Sequence, residues 1–287
     1  MSLNINTNIA SMLAQYNLSK NSRSLEKTTE RLSSGLKINH ASDDAAGLSI
    51  SESLKTQIRG TQKANENAQD GINLLQIADG AYSVISDNLQ RIRELTVQAA
   101  NDTNSTIERN AIKLEVSTRI DDIQMIKNST RFNQVILLDG SVSSFYLRIG
   151  PNSTVSTNAL DISGALGNIL ANFLSVETTA AALSNAYSNH TNARNFLNNI
   201  ENALDEIVTN RATLGALQNR LESVITTLQV SKENLTSTEG RIRSLDIADA
   251  TAKFTTQQIL REASVNVLGY ANKMPTAAIT LLNNSAI

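Results

Sequence analysis

Two imidazoles, His40 and His190, are the only histidines in 287 residues, and there is no cysteine. Thiolate metal centres and a thiol nucleophile are therefore excluded together. Neither histidine stands in the His-Glu-x-x-His or Glu-x-x-His spacing that sets two ligands on one helical face, so no metal site is read from the sequence. Asp43 and Asp44 are adjacent carboxylates, but neighbours on a helix project about 100° apart and cannot share one proton between them. With Ser42 they read instead as the start of a helix, with acidic groups at its positive end. No phosphate-cradling loop, nucleophile elbow or dinucleotide fingerprint occurs. The expectation is a protein with no catalytic residue, no cofactor and no metal. Asn-x-Ser/Thr triplets such as Asn128 to Thr130 and Asn152 to Thr154 are what an Asn-rich chain produces by chance. Hydroxyls between Ser141 and Thr157 are the better candidates for O-linked sugars.

The informative spacing is apolar. Ile200, Ile207, Leu214, Leu221, Leu228 and Leu235 recur every seven residues, with Leu217 and Val224 filling the intermediate positions. This is a coiled-coil seam, and it predicts one long helix from Thr178 to about Leu235, with a break over Thr236 to Gly240. Its mate is the double row Ala78, Ile85, Ile92, Ala99 and Leu75, Tyr82, Leu89, Thr96. A second helix carrying Ile50, Leu54 and Ile58 precedes that row. Ser105 and Glu108 form a capping box that opens a third helix with the seam Ile112, Val116, Ile120 and Ile123. The β signal is confined to residues 131–150. There Val135 to Leu138, the Asp139-Gly140 pair, and the alternation Phe145, Leu147, Ile149 predict one hairpin. From Pro151 to Val176 the pattern lapses into a loop with one helical turn's worth of apolar residues, Leu166, Ile169 and Phe173.

The two ends are amphipathic. Ile5, Ile9, Met12 and Tyr16 lead into Leu18, Leu25 and Leu32, stopped by Gly35. At the other end Ile259, Ala263, Val267, Tyr270 and Met274 step by three and four before Pro275, which should bend or restart the last helix. One narrow seam per end buries too little to offset the ordering of each terminal segment, so both ends are expected to be mobile in a lone chain and to become helical against neighbouring copies. Composition agrees with a helical assembly. Aromatics make up 3%, there is no Trp, and Pro151 and Pro275 are the only prolines. A net charge of −2 with 18% charged residues leaves no footprint for nucleic acid or for a basic membrane contact. No apolar run reaches the roughly 20 residues of a membrane span. The opening residues lack the basic start and apolar core of a secretory signal, so export is expected without a cleaved one.

Five stretches carry a resemblance. Ile5 to Leu18 (INTNIASMLAQYNL), Glu30 to Gly47 (ERLSSGLKIN with SDDAAG), Leu89 to Asn101 (LQRIRELTVQAAN), Arg131 to Gly140 (RFNQVILLDG) and Gln258 to Pro275 (QILREASVNVLGYANKMP) resemble the bacterial flagellins over nearly the full chain. Gln134 departs from the family, which usually has glycine after the Phe-Asn pair, and the region around Pro151 to Val176 is too short for outer domains. The resemblance implies a mainly α fold: a long coiled-coil helical bundle with paired terminal helices and one β-hairpin. Residues 1–43 and 244–287 would form the terminal coiled coil at a filament core. Residues 44–243 would form a helical rod, with hairpin 131–150 and loop 151–176.

The self-assembly seam would be Ile5, Ile9, Met12, Leu18, Leu25, Leu32, Ile259, Ala263, Val267 and Tyr270. The rod core would be Ile85, Leu89, Ile92, Ile200, Ile207, Leu214, Leu221 and Leu228. The implied partners are copies of the chain, the flagellar export apparatus, an export chaperone, and the filament cap and hook-junction proteins. The flagellin-sensing Toll-like receptor is a further implied partner, through the positions matching its recognition face, Gln90, Arg91, Leu95 and Glu115. The implied function is a motility filament subunit, extracellular in the flagellum. The alternatives are a hook-filament junction protein, which shares the terminal helices, and a soluble coiled-coil adaptor.

Overall fold

The computed structural model describes residues 7–141, 144–150, 159–166, 170, 171, 173, 174 and 180–284; at 165, 180, 181 and 277–284 it describes the backbone alone. Ile5, Pro151, Asn152 to Thr154, Ile169, Val176 and Thr178 lie outside the described residues. Six α-helices carry the described chain: α1 (Ile9–Ser34), α2 (Ala45–Ala99), α3 (Thr106–Ser129), α4 (Ala180–Ala186), α5 (His190–Arg243) and α6 (Ile247–Asn284). Four short strands accompany them: β1 (Arg131–Phe132), β2 (Val135–Ile136), β3 (Tyr146–Arg148) and β4 (Ala159–Asp161). The contacts divide the chain into a first unit, Met1–Thr56 with Leu235–Ile287, and a second, Gln57–Asn234.

The helix ends follow from side chains that satisfy otherwise unpaired backbone groups. Asn8 caps α1 by accepting from the Ser11 N–H at 3.0 Å, and Gly35, at φ 69°, closes it in the left-handed conformation that glycine adopts without strain. Of the predicted Ser42-Asp43-Asp44 start, Asp44 is the residue that caps α2, accepting from the Gly47 N–H at 2.9 Å. Both halves of the Ser105–Glu108 capping box are present at α3.

In the second unit a single hydrophobic cluster is built from the faces that the heptad rows mark. Leu75, Ala78, Tyr82, Ile85, Leu89, Ile92 and Ala99 of α2 join Ile112, Val116, Ile120 and Ile123 of α3. Ile200, Ile207, Leu214 and Leu221 complete it from α5. Leu228 is buried further along α5. Within this unit the described ion pairs from α2 to α5 are Arg93 to Glu201 at 3.2 Å and Arg211 to Asp79 at 2.8 Å. Thr96 is the polar member of its row, and its hydroxyl shares a 2.7 Å hydrogen bond with the Tyr187 hydroxyl, so that neither buried group lacks a partner.

Three expectations are corrected. The hairpin of residues 131–150 does not close around Asp139-Gly140. β2 pairs instead with β1 across a two-residue turn at Asn133 and Gln134, and β3 pairs antiparallel with β4, whose residues were read as loop. Asn133 and Gln134 have φ of 44° and 71°, the pair of positive angles that the favoured two-residue hairpin turn requires. Asp139 turns the chain locally, accepting from the Ser141 N–H and hydroxyl at 2.8 and 2.7 Å, while Leu137 and Leu138 are both buried.

Next, the helix carrying the Ile200 row is broken at Tyr187–Asn189, where the Asn189 side chain accepts from the Asn192 N–H at 2.8 Å and starts α5 afresh. Last, Thr236 to Gly240 is helical. α5 runs to Arg243, and the true stop is at Ser244–Asp246, where Asp246 accepts from the N–H groups of Ala248 and Asp249 at the start of α6. Among the described residues α6 continues through Pro275, which sits within the helix. At Gly71 a side chain would have to displace Leu147. A Cβ there would meet the Leu147 side chain at 2.4 Å, so this glycine lets β3 lie against α2.

Candidate assembly surface

The terminal helices α1 and α6 pair antiparallel in the first unit, and what they bury is small and polar. On α1 the buried side chains are Ser11 and Ala14, with Leu18, Asn21, Leu25 and Leu32 half-buried. On α6 the covered row is Ala250, Phe254, Gln257, Ser264, Leu268 and Ala271. Hydrogen bonds fix the register between them. Asn8 Nδ2 donates to the Ala271 carbonyl at 2.8 Å, and the Ser11 hydroxyl to Asn272 Oδ1 at 2.6 Å. Asn21 Nδ2 donates to the Ser264 hydroxyl at 2.8 Å, and Gln257 Nε2 to the Ser24 hydroxyl at 2.8 Å. Small side chains let the helix axes approach closely, and the polar pairs penalise any slip.

The bulky apolar residues lie on the opposite faces. Ile9 is 71% exposed, Met12 65%, Ile259 61%, Val267 56% and Tyr270 74%, and Ala263 between them is exposed as well. Leu13 and Tyr16 on α1 and Leu260 and Met274 on α6 extend the same uncovered surface. The rows from Ile9 and from Ile259 therefore do not meet inside one chain. Of the ten seam residues named from sequence, Leu18, Leu25 and Leu32 are half-buried, Ile5 lies outside the described residues, and the other six face outward. On α6 the residues of the intrachain seam were not named from sequence, because Ala250, Gln257, Ser264 and Ala271 dilute the apolar signal of Phe254 and Leu268. Their signal is the heptad run Ala250, Phe254, Gln257, Ser264, Leu268, Ala271, which sits beside the stronger apolar stripe. A surface with this many uncovered aliphatic and aromatic groups is what an interaction face looks like.

The loop that joins α1 to α2 is tied down by charge. Lys37 N–H donates to the Arg243 carbonyl at 2.7 Å, Leu245 N–H to the Gly35 carbonyl at 3.1 Å, and Leu36 bridges Ser244. Arg243 adds Nε to the Ile38 carbonyl and Nη1 to Glu52 at 2.7 Å. Asp43 holds the other side. Its carboxylate, 7% exposed, meets Lys27 Nζ at 2.6 Å and Arg31 Nη2 at 3.3 Å and accepts from the N–H groups of Asn39 and His40. The Lys27 hydrogen bond is the largest influence and, with the backbone donors, carries the carboxyl well below its ordinary range against the opposing effect of burial.

Elsewhere, Gln90 and Arg91 are exposed on α2, and Arg91 pairs with Glu94 and with the half-buried Glu115 of α3, each at 3.1 Å. Leu95 is buried in the hydrophobic cluster. His40 faces Glu30 at 2.8 Å and His190 faces Asp102 at 3.6 Å. Among the described residues no three His, Asp or Glu side chains gather as a metal site would require, and no helix is long and apolar enough to cross a membrane.

Residues 5–143 match the sequence model of the bacterial flagellin N-terminal helical region, and residues 197–282 that of the bacterial flagellin C-terminal helical region. A flagellin of Halalkalibacterium halodurans is 40% identical over 282 residues, covering 97% of this chain and 99% of its own. The flagellar filament 33 kDa core protein of Treponema phagedenis is 35% identical over 288 residues, covering 97% of this chain and 99% of its own. The structure of a flagellar hook-associated protein of Vibrio parahaemolyticus shares the fold alone, with a TM-score of 0.55 at 14% identity over 70% of this chain and 100% of that one. Two helical regions at the ends of the chain, an end-to-end relation to filament proteins, and terminal helices that turn their apolar faces outward lead to one assignment: the chain belongs to the bacterial flagellin family.

Proposed function

We infer that this chain is a structural subunit that polymerises with copies of itself into the flagellar filament, serves motility there, and performs no catalysis. The observation that carries the reading is the uncovered apolar surface of α1 and α6, which nothing within one chain buries. Neighbouring copies supply the missing cover, and the terminal pair, whose own seam fully buries only Ala and Ser and leaves its Leu and Phe half-covered, gains most of its stability on assembly. Ordering is thereby coupled to binding, so the ends of a free subunit are mobile and those of a polymerised one are helical. The first unit acts as the filament core. Export through the flagellar channel without a cleaved signal, a chaperone on the C-terminal segment, and contacts with the filament cap and hook-junction proteins complete the proposal on family grounds.

The test is circular dichroism with limited proteolysis of the free subunit, before and after seeding with filament fragments. Helix content and protection of both ends should rise together. A free subunit already protected from Ile9 to Met274, with no change on seeding, would overturn the mechanism. Failure to polymerise on seeds favours a hook-junction role instead.

Recognition by the flagellin-sensing Toll-like receptor is proposed for the face presenting Gln90, Arg91 and Glu115. Support comes from the exposure of Gln90 and Arg91 and from the Arg91–Glu115 pair. Leu95, being buried, shapes that face from beneath. A receptor reporter assay with free subunit decides it, since an undiminished response to Arg91→Ala discards the idea.

A further inference from the structure

We propose that the cleft between the start of α3 and the α4–α5 turn, within the second unit, binds a small hydroxylated carboxylate of the sugar-acid class. The cleft has a volume of about 530 Å³. Ser105, Arg109, Asn110 and Lys113 line it from α3, and Ser184 and Ser188 from the α4–α5 side.

Arg109 and Lys113 are one turn apart on α3, a spacing at which like charges oppose each other unless an anion lies between them. No described carboxylate comes within ion-pair distance of Lys113. Arg109 reaches one, Asp102, only at 3.6 Å, and that acid is 78% exposed and also faces His190. The Arg109 side chain itself is 14% exposed. One Nη donates to the Asn101 carbonyl at 3.4 Å, and the buried Nε has no acceptor. The buried Nε is closed to a ligand, which leaves Arg109 Nη1 and the Lys113 ammonium as the two donors that a carboxylate in the cleft would bridge. The attraction does not come from the end of α3, because its capping box already engages the Glu108 N–H and the Glu108 carboxylate.

The rest of the lining sets the class of ligand. Serine hydroxyls and the Asn110 carboxamide both donate and accept, which suits the hydroxyls of a sugar ring. The one aromatic wall, Tyr187, has its hydroxyl engaged by Thr96. The volume falls in the range of small-molecule sites, about 300–1,000 Å³, and exceeds what an inorganic anion fills.

The experiment is isothermal titration of the full-length, unpolymerised chain with galacturonate, galactose and inorganic phosphate. Galacturonate is expected to bind at one site per chain, at least tenfold more tightly than galactose or phosphate, and more weakly as salt rises. Arg109→Gln and Lys113→Gln should each weaken it at least tenfold. Lys113 is only half-buried, so its variant keeps the fold even where Arg109→Gln does not, and circular dichroism of both checks this. Absence of saturable galacturonate binding overturns the site, as does an affinity unchanged in a folded Lys113→Gln. Phosphate or galactose binding as tightly as galacturonate overturns the sugar-acid assignment.

Discussion

At φ 71°, Gln134 holds the left-handed conformation that crowds its Cβ against the following carbonyl. The β1–β2 turn is made nonetheless, so the strain is carried by the rest of the hairpin. Gln134→Gly should raise stability by about 0.5–1 kcal/mol, the relief being partly offset by the entropy of a freer unfolded chain, whereas Gln134→Ala should raise it by nothing comparable. Urea midpoints of the two variants settle this.

Asp43 is the other residue whose environment makes a prediction. Its carboxyl titrates lower in the folded chain than in the unfolded one, through Lys27 first and the backbone donors after it. Its contribution is therefore complete above the unfolded value of about 3.9 and drains away as pH falls toward the folded one. Asp43→Asn should cost on the order of 1–3 kcal/mol at neutral pH. The gap from the parent should stay level above about pH 5 and narrow steadily below about pH 4. A gap that is the same at pH 7 and pH 3 would remove the carboxylate from this account.

At the scale of elements, the heptad rows of α2, α3 and α5 were legible because a buried helical face needs large aliphatic side chains at fixed intervals, and Ile200, Ile207 and Leu214 supply them. The cap of α3 was equally legible, since Ser105 and Glu108 each name the other's partner. The strand pairing was not. Asp139-Gly140 has the composition of a hairpin turn, but the pairing was decided by contacts at a distance, with Leu147 fitting over Gly71 and Ile162 N–H donating to the Phe145 carbonyl. The break before α5 carried a signal that was passed over, since Ser188 and Asn189 are weak helix formers and Asn189 is a capping residue. In the terminal pair the strongest apolar stripe was read as the self-assembly seam, and within one chain the weaker Ala250–Ala271 row is the one that packs. Hydrophobicity alone cannot tell a face buried within a chain from one buried between chains. Within α5 the distinction is sharp. Leu214→Ala should cost about 2–5 kcal/mol through the cavity it leaves, while Val208→Ala, at a position 62% exposed, should change stability by no more than about 0.5 kcal/mol. Chemical denaturation of both variants measures the contrast.

For the whole molecule the consequence lies in how unequally the two units bury their side chains. The second unit encloses Tyr82, Phe196, Leu89, Ile92 and Ile120 almost completely, whereas the first encloses Ile38 and otherwise Ala, Ser and Gly. By area the second unit can stand alone and the first cannot, because each large side chain withdrawn from water contributes about 1.5–3 kcal/mol and the first unit withdraws almost none. Stability and assembly should then separate by mutation. Val267→Asp and Ile259→Asp place a charge on the uncovered face of α6, where water solvates it in the free subunit and a neighbouring copy would have to bury it. Thermal unfolding of the free subunit should shift by no more than about 0.5 kcal/mol in either variant, while seeded polymerisation followed by light scattering should be lost. Leu268→Ala, in the intrachain row, should act in the polymer, where the terminal pair is ordered, lowering the melting temperature of the filament while seeds still elongate. If the Asp variants elongate seeds at the parent's rate, the outward face of α6 is not where copies of this chain meet, and the polar seam between α1 and α6 must be reopened in the assembled state to provide the contact.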